Sequence, residues 1–127
     1  MKKIIKASQR GQGLAEFALI LPILLVFVFL IVDLSRAAYY YSVVFNSARE
    51  GARFAVARPG VSPGDIIEAA ERLAGGADVD VSIPVITEDR IEVEVSYSFT
   101  PATPILWNLT GDGEIELTSK ATMQIEQ

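Results

Sequence analysis

An apolar run from Leu14 to Val32, interrupted by the single carboxylate of Glu16, constrains this chain more than any other feature of its sequence. The run is long enough to cross a bilayer as a helix, which takes about twenty apolar residues. A carboxylate within a membrane helix is costly, so we expect Glu16 to have a partner. The residues before the run include basic side chains and no acidic ones: Lys2, Lys3, Lys6 and Arg10. The positive-inside rule then predicts a cytoplasmic N-terminus, with everything after Val32 on the far side of the membrane.

The alternative interpretation of this N-terminus is a cleaved secretory signal peptide followed by a soluble domain. The small-x-small sequence Ser35-Arg36-Ala37 is a poor cleavage site because of its charge. The apolar run also exceeds the length of a typical signal-peptide core. Both observations favour a membrane helix that stays attached to the rest of the chain.

The composition argues against several classes of function. The 127 residues include no cysteine and no histidine, which removes disulfides, thiolate metal sites, the commonest general base and the commonest zinc ligand. The net charge of −5 is uneven, because basic residues dominate the first eleven positions and acidic residues dominate the remainder. Binding to nucleic acid needs a basic surface, so we expect no nucleic-acid partner.

Candidate catalytic groups are few. The carboxylates of four residues are candidates for an acid pair or a cation site: Asp78, Asp80, Glu92 and Glu94. They fall on the polar positions of predicted strands, where a solvated charged face is the simpler interpretation. The serines have no base to activate them. We therefore expect no enzymatic activity, no metal site and no cofactor.

One long helix is predicted from Leu14 to about Ala57, with Pro22 favouring a kink or local unwinding inside it. Beyond the membrane, apolar residues recur at three- and four-residue spacing and predict one buried stripe, consisting of Leu34, Ala37, Ala38, Tyr41, Val44, Phe45, Ala48, Ala52 and Ala55. The polar face is expected to carry the ion pairs Asp33–Arg36 and Glu50–Arg53. Such a stalk needs a partner surface.

The three tyrosines just outside the membrane have two interpretations. Tyr39, Tyr40 and Tyr41 match an aromatic anchor at the membrane interface, and we expect one or two of them to have that role. Tyr41 also belongs to the predicted stripe, where it would be a core residue.

The region after Ala57 alternates between turn signals and regular patterns. Ser62 is a predicted N-cap for a second helix that begins at Pro63 and ends at Ala74, with an apolar face of Ile66, Ile67, Ala70, Leu73 and Ala74. Apolar and polar residues then alternate over 79–85, 91–99 and 115–125, which predicts three strands, the first an edge strand because of Pro84. Residues 101–107 are expected to form an irregular connection before a turn at 111–113.

These elements predict an α+β fold. A long membrane-spanning helix continues as a stalk and packs, with the short second helix, against a three-stranded antiparallel sheet. The expected divisions are a basic leader at 1–11, the membrane and stalk helix at 12–57 and an extracytoplasmic head at 58–127. Docking the stalk supplies apolar surface to a head that is small for an independent core.

Several motifs resemble a known family. The segment Arg10-Gly11-Gln12-Gly13-Leu14-Ala15-Glu16-Phe17 resembles a prepilin processing site of the type IV pilin superfamily, in its Tad (tight adherence, Flp-type) branch. The segment Ala48-Arg49-Glu50-Gly51-Ala52-Arg53 is similar to one that follows the membrane helix in TadE-like proteins. Residues 103–106 and 115–123 resemble the C-terminal pattern of the same family.

The resemblance implies a minor pilin, or pseudopilin, of a Tad-type pilus. A prepilin peptidase would cut between Gly11 and Gln12, and Glu16 would meet the new N-terminal amine of a neighbouring subunit. Phe17 completes the processing motif. The implied partners are the membrane, the peptidase, and other pilins with their assembly platform, in homo- or hetero-oligomers. The implied location is the bacterial inner membrane, crossed once, with possible incorporation into a surface pilus.

Charge arguments support that role for Glu16 independently. Cleavage creates an amine about four residues from a lone membrane carboxylate, and opposite charges attract strongly in a low dielectric. Major Flp pilins are short and nearly all helical, whereas this chain has a head, which favours a minor or initiating role. Three alternatives stay open: a TadF-like protein, an uncleaved signal-anchored binding module, and a membrane-tethered hydrolase.

Overall fold

The computed structural model describes residues 8–87, 89–111 and 113–125. Most of the predicted leader, residues 1–7, lies outside them. The elements follow in the order α1 (Ser8–Ala57), α2 (Pro63–Leu73), β1 (Asp80–Ile86), β2 (Arg90–Phe99), α3 (Pro104–Thr110) and β3 (Ile115–Gln124). The helices α1 and α2 pack against a three-stranded antiparallel sheet, so the predicted α+β fold is confirmed.

The helix α1 spans 50 residues, which at 1.5 Å per residue makes a rod of about 75 Å. It continues through Pro22, so the local unwinding that we predicted there does not interrupt the helix. Among the described residues, α1 is the one helix long and apolar enough to cross a membrane. Its large apolar side chains before Asp33 are mostly exposed, as expected for a surface that faces lipid.

The second helix begins as its sequence predicts. The Ser62 side chain accepts a hydrogen bond from the Asp65 amide at 3.3 Å, and Pro63 occupies the first turn, where its missing N–H costs nothing. The buried face consists of Ile66, Ala69, Ala70 and the adjoining Ala74. Leu73, which we placed on that face, is half exposed because α2 turns its alanine side to α1.

The sheet has the strand order β1-β2-β3, with both pairs antiparallel. This order makes β1 an edge strand, as Pro84 predicted, and the pairing is irregular between Ser82 and Val85 around that proline. The apolar positions of β2 face the helices and form the centre of the core: Ile91, Val93, Val95 and Phe99. The outer half of α1 covers this face, while α2 packs on α1 and contacts β1.

The predicted stripe on the stalk is partly wrong. Val44, Ala48, Ala52 and Ala55 are buried as expected, but Leu34, Ala38, Tyr41 and Phe45 are exposed. The positions that turn inward with the buried four are Asp33, Tyr40, Ser47 and Gly51. The head covers one narrow side of α1. Because an adjacent side of the helix is also apolar, hydropathy alone does not show which of the two sides is buried.

The connection between β2 and β3 contains a helix that we did not predict. Pro104 occupies the first turn of α3, and Thr103 is its N-cap residue. Thr103 before Pro104 is a helix-start signal like that of α2, but seven residues are too few to show a repeating apolar pattern, and the segment was therefore interpreted as a connection. Its position beside α1 matters for the site described next.

Candidate membrane and assembly site

The residues of the predicted processing motif lie in the first turns of α1 and are exposed: Gly11, Gln12, Glu16 and Phe17. The Gln12 side-chain amide donates a hydrogen bond to the Glu16 carboxylate at 3.2 Å, because a four-residue spacing places both on one helix face. That donor is neutral. Among the side chains that the structure describes, none forms an ion pair with Glu16.

A second carboxylate marks the point where α1 leaves the apolar run. Asp33 is only 2 % exposed, and its oxygens accept hydrogen bonds from the amides of Ala102 and Thr103, both at 2.8 Å. The Thr103 hydroxyl donates a third bond at 2.6 Å, which is why it does not cap α3. Three donors to one carboxylate make a strong, charge-assisted connection. Asp33 therefore fixes the start of α3 to the end of the membrane helix.

The predicted ion pair between Asp33 and Arg36 is present, but it is not the main interaction of Asp33. The Arg36 guanidinium lies 3.5 Å from the Asp33 carboxylate, at the limit of a hydrogen bond, and is largely exposed. The same guanidinium lies 5.1 Å from the centre of the Phe99 ring, within range of a cation–π contact. The pair exists, but the backbone of the β2–α3 connection is the main partner of Asp33.

Aromatic stacking continues this junction about two turns beyond Asp33 along α1. Tyr40 stacks on Tyr97 of β2, with ring centres 4.2 Å apart and planes 15° apart. Tyr40 is therefore packed on the sheet rather than free to anchor in lipid. Tyr39 and Tyr41 remain exposed, so the interpretation of Tyr41 as a core residue is wrong, while an anchoring role for the exposed pair stays a prediction.

The segment Ala48-Arg49-Glu50-Gly51-Ala52-Arg53 divides into two faces of α1. Its small residues are buried where α1 crosses α2 and β2: Ala48, Gly51 and Ala52. A methyl group at Gly51 would lie 3.1 Å from a Val93 methyl and 3.2 Å from the Ala70 methyl. Close packing favours glycine here, since a larger residue would force the neighbouring side chains to shift by at least a few tenths of an ångström.

The charged residues of the same segment point outward. The Arg53 guanidinium donates two hydrogen bonds to the Glu50 carboxylate, at 2.8 and 2.9 Å. These bonds lower the pKa of Glu50 below its usual value, against the opposing effect of partial burial and with further help from the Arg53 charge. The predicted Glu50–Arg53 pair is therefore present, on a surface where such a pair contributes little to stability.

The carboxylates that we considered as catalytic candidates are spread over the solvent side of the sheet. Lys120 of β3 lies 2.9 Å from the Glu94 carboxylate and 3.8 Å from that of Glu92. Asp78 and Asp80 are exposed at the other edge. Among the described residues, no group of acidic side chains is arranged to hold a metal ion. This arrangement is that of a solvated, charge-paired sheet face.

Sequence reasoning missed the anchoring role of Asp33 and the presence of α3. The bond from Thr103 to Asp33 joins residues 70 positions apart, and no local pattern reports such a contact. One signal was available, since an acidic residue directly after a membrane run is costly unless it has partners. We applied that argument to Glu16 and not to Asp33.

Comparison with known proteins agrees with the motifs at the N-terminal end of the chain. No curated protein and no solved structure matches it. The TadE-like protein family model matches residues 11–53, about a third of the chain, from the predicted cleavage site to the end of the Ala48–Arg53 segment. The resemblances at 103–106 and 115–123 lie outside that match and stay predictions. Over its predicted membrane helix and most of its stalk, the chain is similar to the TadE-like protein family, in agreement with its motifs.

Proposed function

We propose that this protein is a minor pilin, or pseudopilin, of a Tad-type pilus. A prepilin peptidase cuts it between Gly11 and Gln12, and the mature chain crosses the inner membrane once with its head outside the cytoplasm. The family match supports an association with the Tad pilus. The finer role depends on the N-terminal residues.

The environment of Glu16 carries the proposal. Its carboxylate is exposed on an apolar helix, and its described partner is the neutral amide of Gln12. An unpaired carboxylate in an apolar surrounding is stabilised by a nearby cation. Cleavage after Gly11 creates such a cation, the N-terminal amine of Gln12. Both groups then lie on the same exposed helix face. An amine from an adjacent subunit meets Glu16 and sets the axial register between packed helices.

The contrast between two glycines supports processing. A methyl group added at Gly11 would meet no described atom within 4 Å, so packing among the described residues does not require glycine there. Gly51, in contrast, is confined by Val93 and Ala70. Recognition by a protease that needs an unhindered backbone accounts for glycine at position 11.

The stalk offers surface for lateral packing with other pilins. The exposed positions Leu34, Ala38, Tyr41 and Phe45 lie one residue beyond the buried ones and continue the lipid-facing surface outward. The head occupies the other side of the stalk. A subunit with one side covered by its own head packs against fewer neighbours than a bare helix, which fits a minor or initiating subunit better than a repeated shaft subunit.

Substitution of Glu16 tests the proposal. Glu16→Ala and Glu16→Gln are both expected to be cut normally, seen as a shifted band on a gel, and both are expected to impair assembly of surface pili. Glutamine keeps the shape and the hydrogen bond to Gln12 but removes the charge. Gly11→Glu is the matched processing control and is expected to give an unshifted band.

Two outcomes would contradict the proposal. Normal pili in Glu16→Gln would show that the charge does not register subunits. Normal function of Gly11→Glu, with its leader attached, would instead favour an uncleaved signal-anchored module whose head binds a partner.

A further inference from the structure

The short helix α3 lies at the level where α1 leaves the apolar run. Its N-terminal end is fixed to Asp33 by three hydrogen bonds, and Asp33 directly follows Val32, the last residue of that run. Leu106 of α3 lines a cleft of about 330 Å³ together with Leu30 and Leu34 of α1. Leu30 belongs to the membrane-crossing run. The contacts of α3 therefore extend past Asp33 toward the membrane.

The outer surface of α3 is apolar and exposed. Ile105 is 55 % exposed and Trp107 is 46 % exposed, and across the cleft from Leu106 the Leu34 side chain is 72 % exposed. The Trp107 indole donates its N–H to the Pro101 carbonyl at 2.7 Å. Since that donor is satisfied within the chain, the ring loses no hydrogen bond when it leaves water. A tryptophan with one apolar and one polar side is typical of the membrane interface.

The distribution of charge favours the same contact. The region after Gln12 is acidic overall, yet no charged residue occurs between Glu94 and Asp112. The charges on neighbouring elements are the buried Asp33 carboxylate and the Arg36 cation on α1, and the exposed carboxylates of Glu114 and Glu116, of which Glu114 shares a cleft with Trp107. An acidic surface is repelled by anionic lipid headgroups, whereas this uncharged segment is not.

We propose that α3 is an interfacial anchor that binds the lipid surface on the side of the membrane where the head lies. Ile105 and Trp107 enter the headgroup region, and Asp33 holds α3 at that depth. The anchor fixes the orientation of the head relative to the bilayer with a second contact beside α1. The anchor requires that α1 is inserted in a membrane, but it does not require that the protein belongs to a pilus. The anchor and the pilin role can therefore fail independently of each other.

Trp107 reports on this contact directly, because it is the only tryptophan in the chain. The full-length protein is reconstituted in vesicles of phosphatidylcholine and phosphatidylglycerol, with bromine placed either near the headgroup end or near the tip of one acyl chain. We expect blue-shifted emission from Trp107, and stronger quenching by the shallow bromine than by the deep one.

A matched control places the reporter at the far end of the head. Ile86 is exposed and lines a cleft with Ala55, which lies about 33 Å along α1 from Asp33 at 1.5 Å per residue. Trp107→Phe combined with Ile86→Trp is expected to show no bromine quenching.

Three results would overturn the anchor. Water-like emission from Trp107 without quenching would place α3 outside the interface. Blue-shifted emission without quenching would mean that protein, such as a second copy of the chain, covers the ring. Stronger quenching by the deep bromine would place the ring inside the hydrocarbon and not at the headgroups.

Discussion

The two halves of α1 follow opposite packing rules within one continuous helix. From Leu14 to Val32 the helix exposes large apolar side chains, and the described residues place no part of the head against most of them. From Asp33 to Ala57 its inward side is made mainly of small residues, packed against α2 and the sheet. The first half is long and apolar enough to cross a membrane, while the second half packs against the core of the head.

This difference shows that the most hydrophobic residues of α1 are not the ones that the head buries. The most apolar half is the exposed one, and the buried half includes alanines, a glycine and the carboxylate of Asp33. Small side chains in this half let the backbone of α1 lie close to α2 and β2. This close packing, and not contact between large apolar side chains, joins the stalk to the head. Substitutions of similar size are therefore expected to differ in effect between the two halves.

The largest expected effect is that of Gly51→Leu, because even a methyl group there would lie 3.1 Å from Val93. Forcing a larger side chain into a packed core costs about 3 kcal/mol. We expect the head to lose about that much stability in urea unfolding of the full-length protein in detergent, followed by near-ultraviolet circular dichroism. Gly13→Leu in the membrane half, where nothing lies within 4 Å, is the matched control and is expected to leave the transition unchanged. Equal transitions for both variants would remove the contrast between the halves.

Removal of the Asp33 carboxylate, at the boundary between the two halves of α1, is expected to have the next largest effect. Asp33→Ala leaves the buried amide and hydroxyl of Thr103 without an acceptor, which costs about 2–3 kcal/mol. Asp33→Asn keeps one acceptor oxygen and is expected to fall between the natural protein and the alanine variant. The exposed Asp78→Ala is the control, and the same unfolding measurement applies. An unchanged midpoint for Asp33→Ala would show that the boundary bonds do not hold the head.

A smaller effect is expected from the aromatic pair above the boundary. Tyr40→Leu keeps apolar bulk but removes the ring that stacks on Tyr97 at 4.2 Å, a contact that contributes about 1 kcal/mol beyond burial. The exposed neighbour Tyr41→Leu should leave stability nearly unchanged. If Tyr41→Leu destabilises the head more than Tyr40→Leu does, the orientation of the stalk described above is wrong.

Sequence patterns predicted the elements of this fold that repeat locally. The alternation over 91–99 and 115–125 predicted two strands, and Ser62 with Pro63 predicted the start of α2. The same patterns also assigned four exposed residues to the buried side of the stalk, each one position beyond an inward-facing residue, because apolar residues occupy two adjacent faces of α1. The contact between Asp33 and Thr103 joins distant parts of the chain and has no local signature.

The candidate assembly site also combines a residue that has a local sequence signal with a partner that lies elsewhere. Glu16 was identified because one carboxylate in an apolar run is a local and conspicuous cost. The structure adds that the Gln12 amide is its described neighbour, but its predicted ionic partner belongs to another chain.

The N-terminal residue of the chain purified from its host membrane tests the central claim most directly. Mass spectrometry of the N-terminal peptide is predicted to find a chain that begins at Gln12, with Gly11 removed. A functional chain that still begins at Met1 would contradict the account, because Glu16 would then have no new amine to meet.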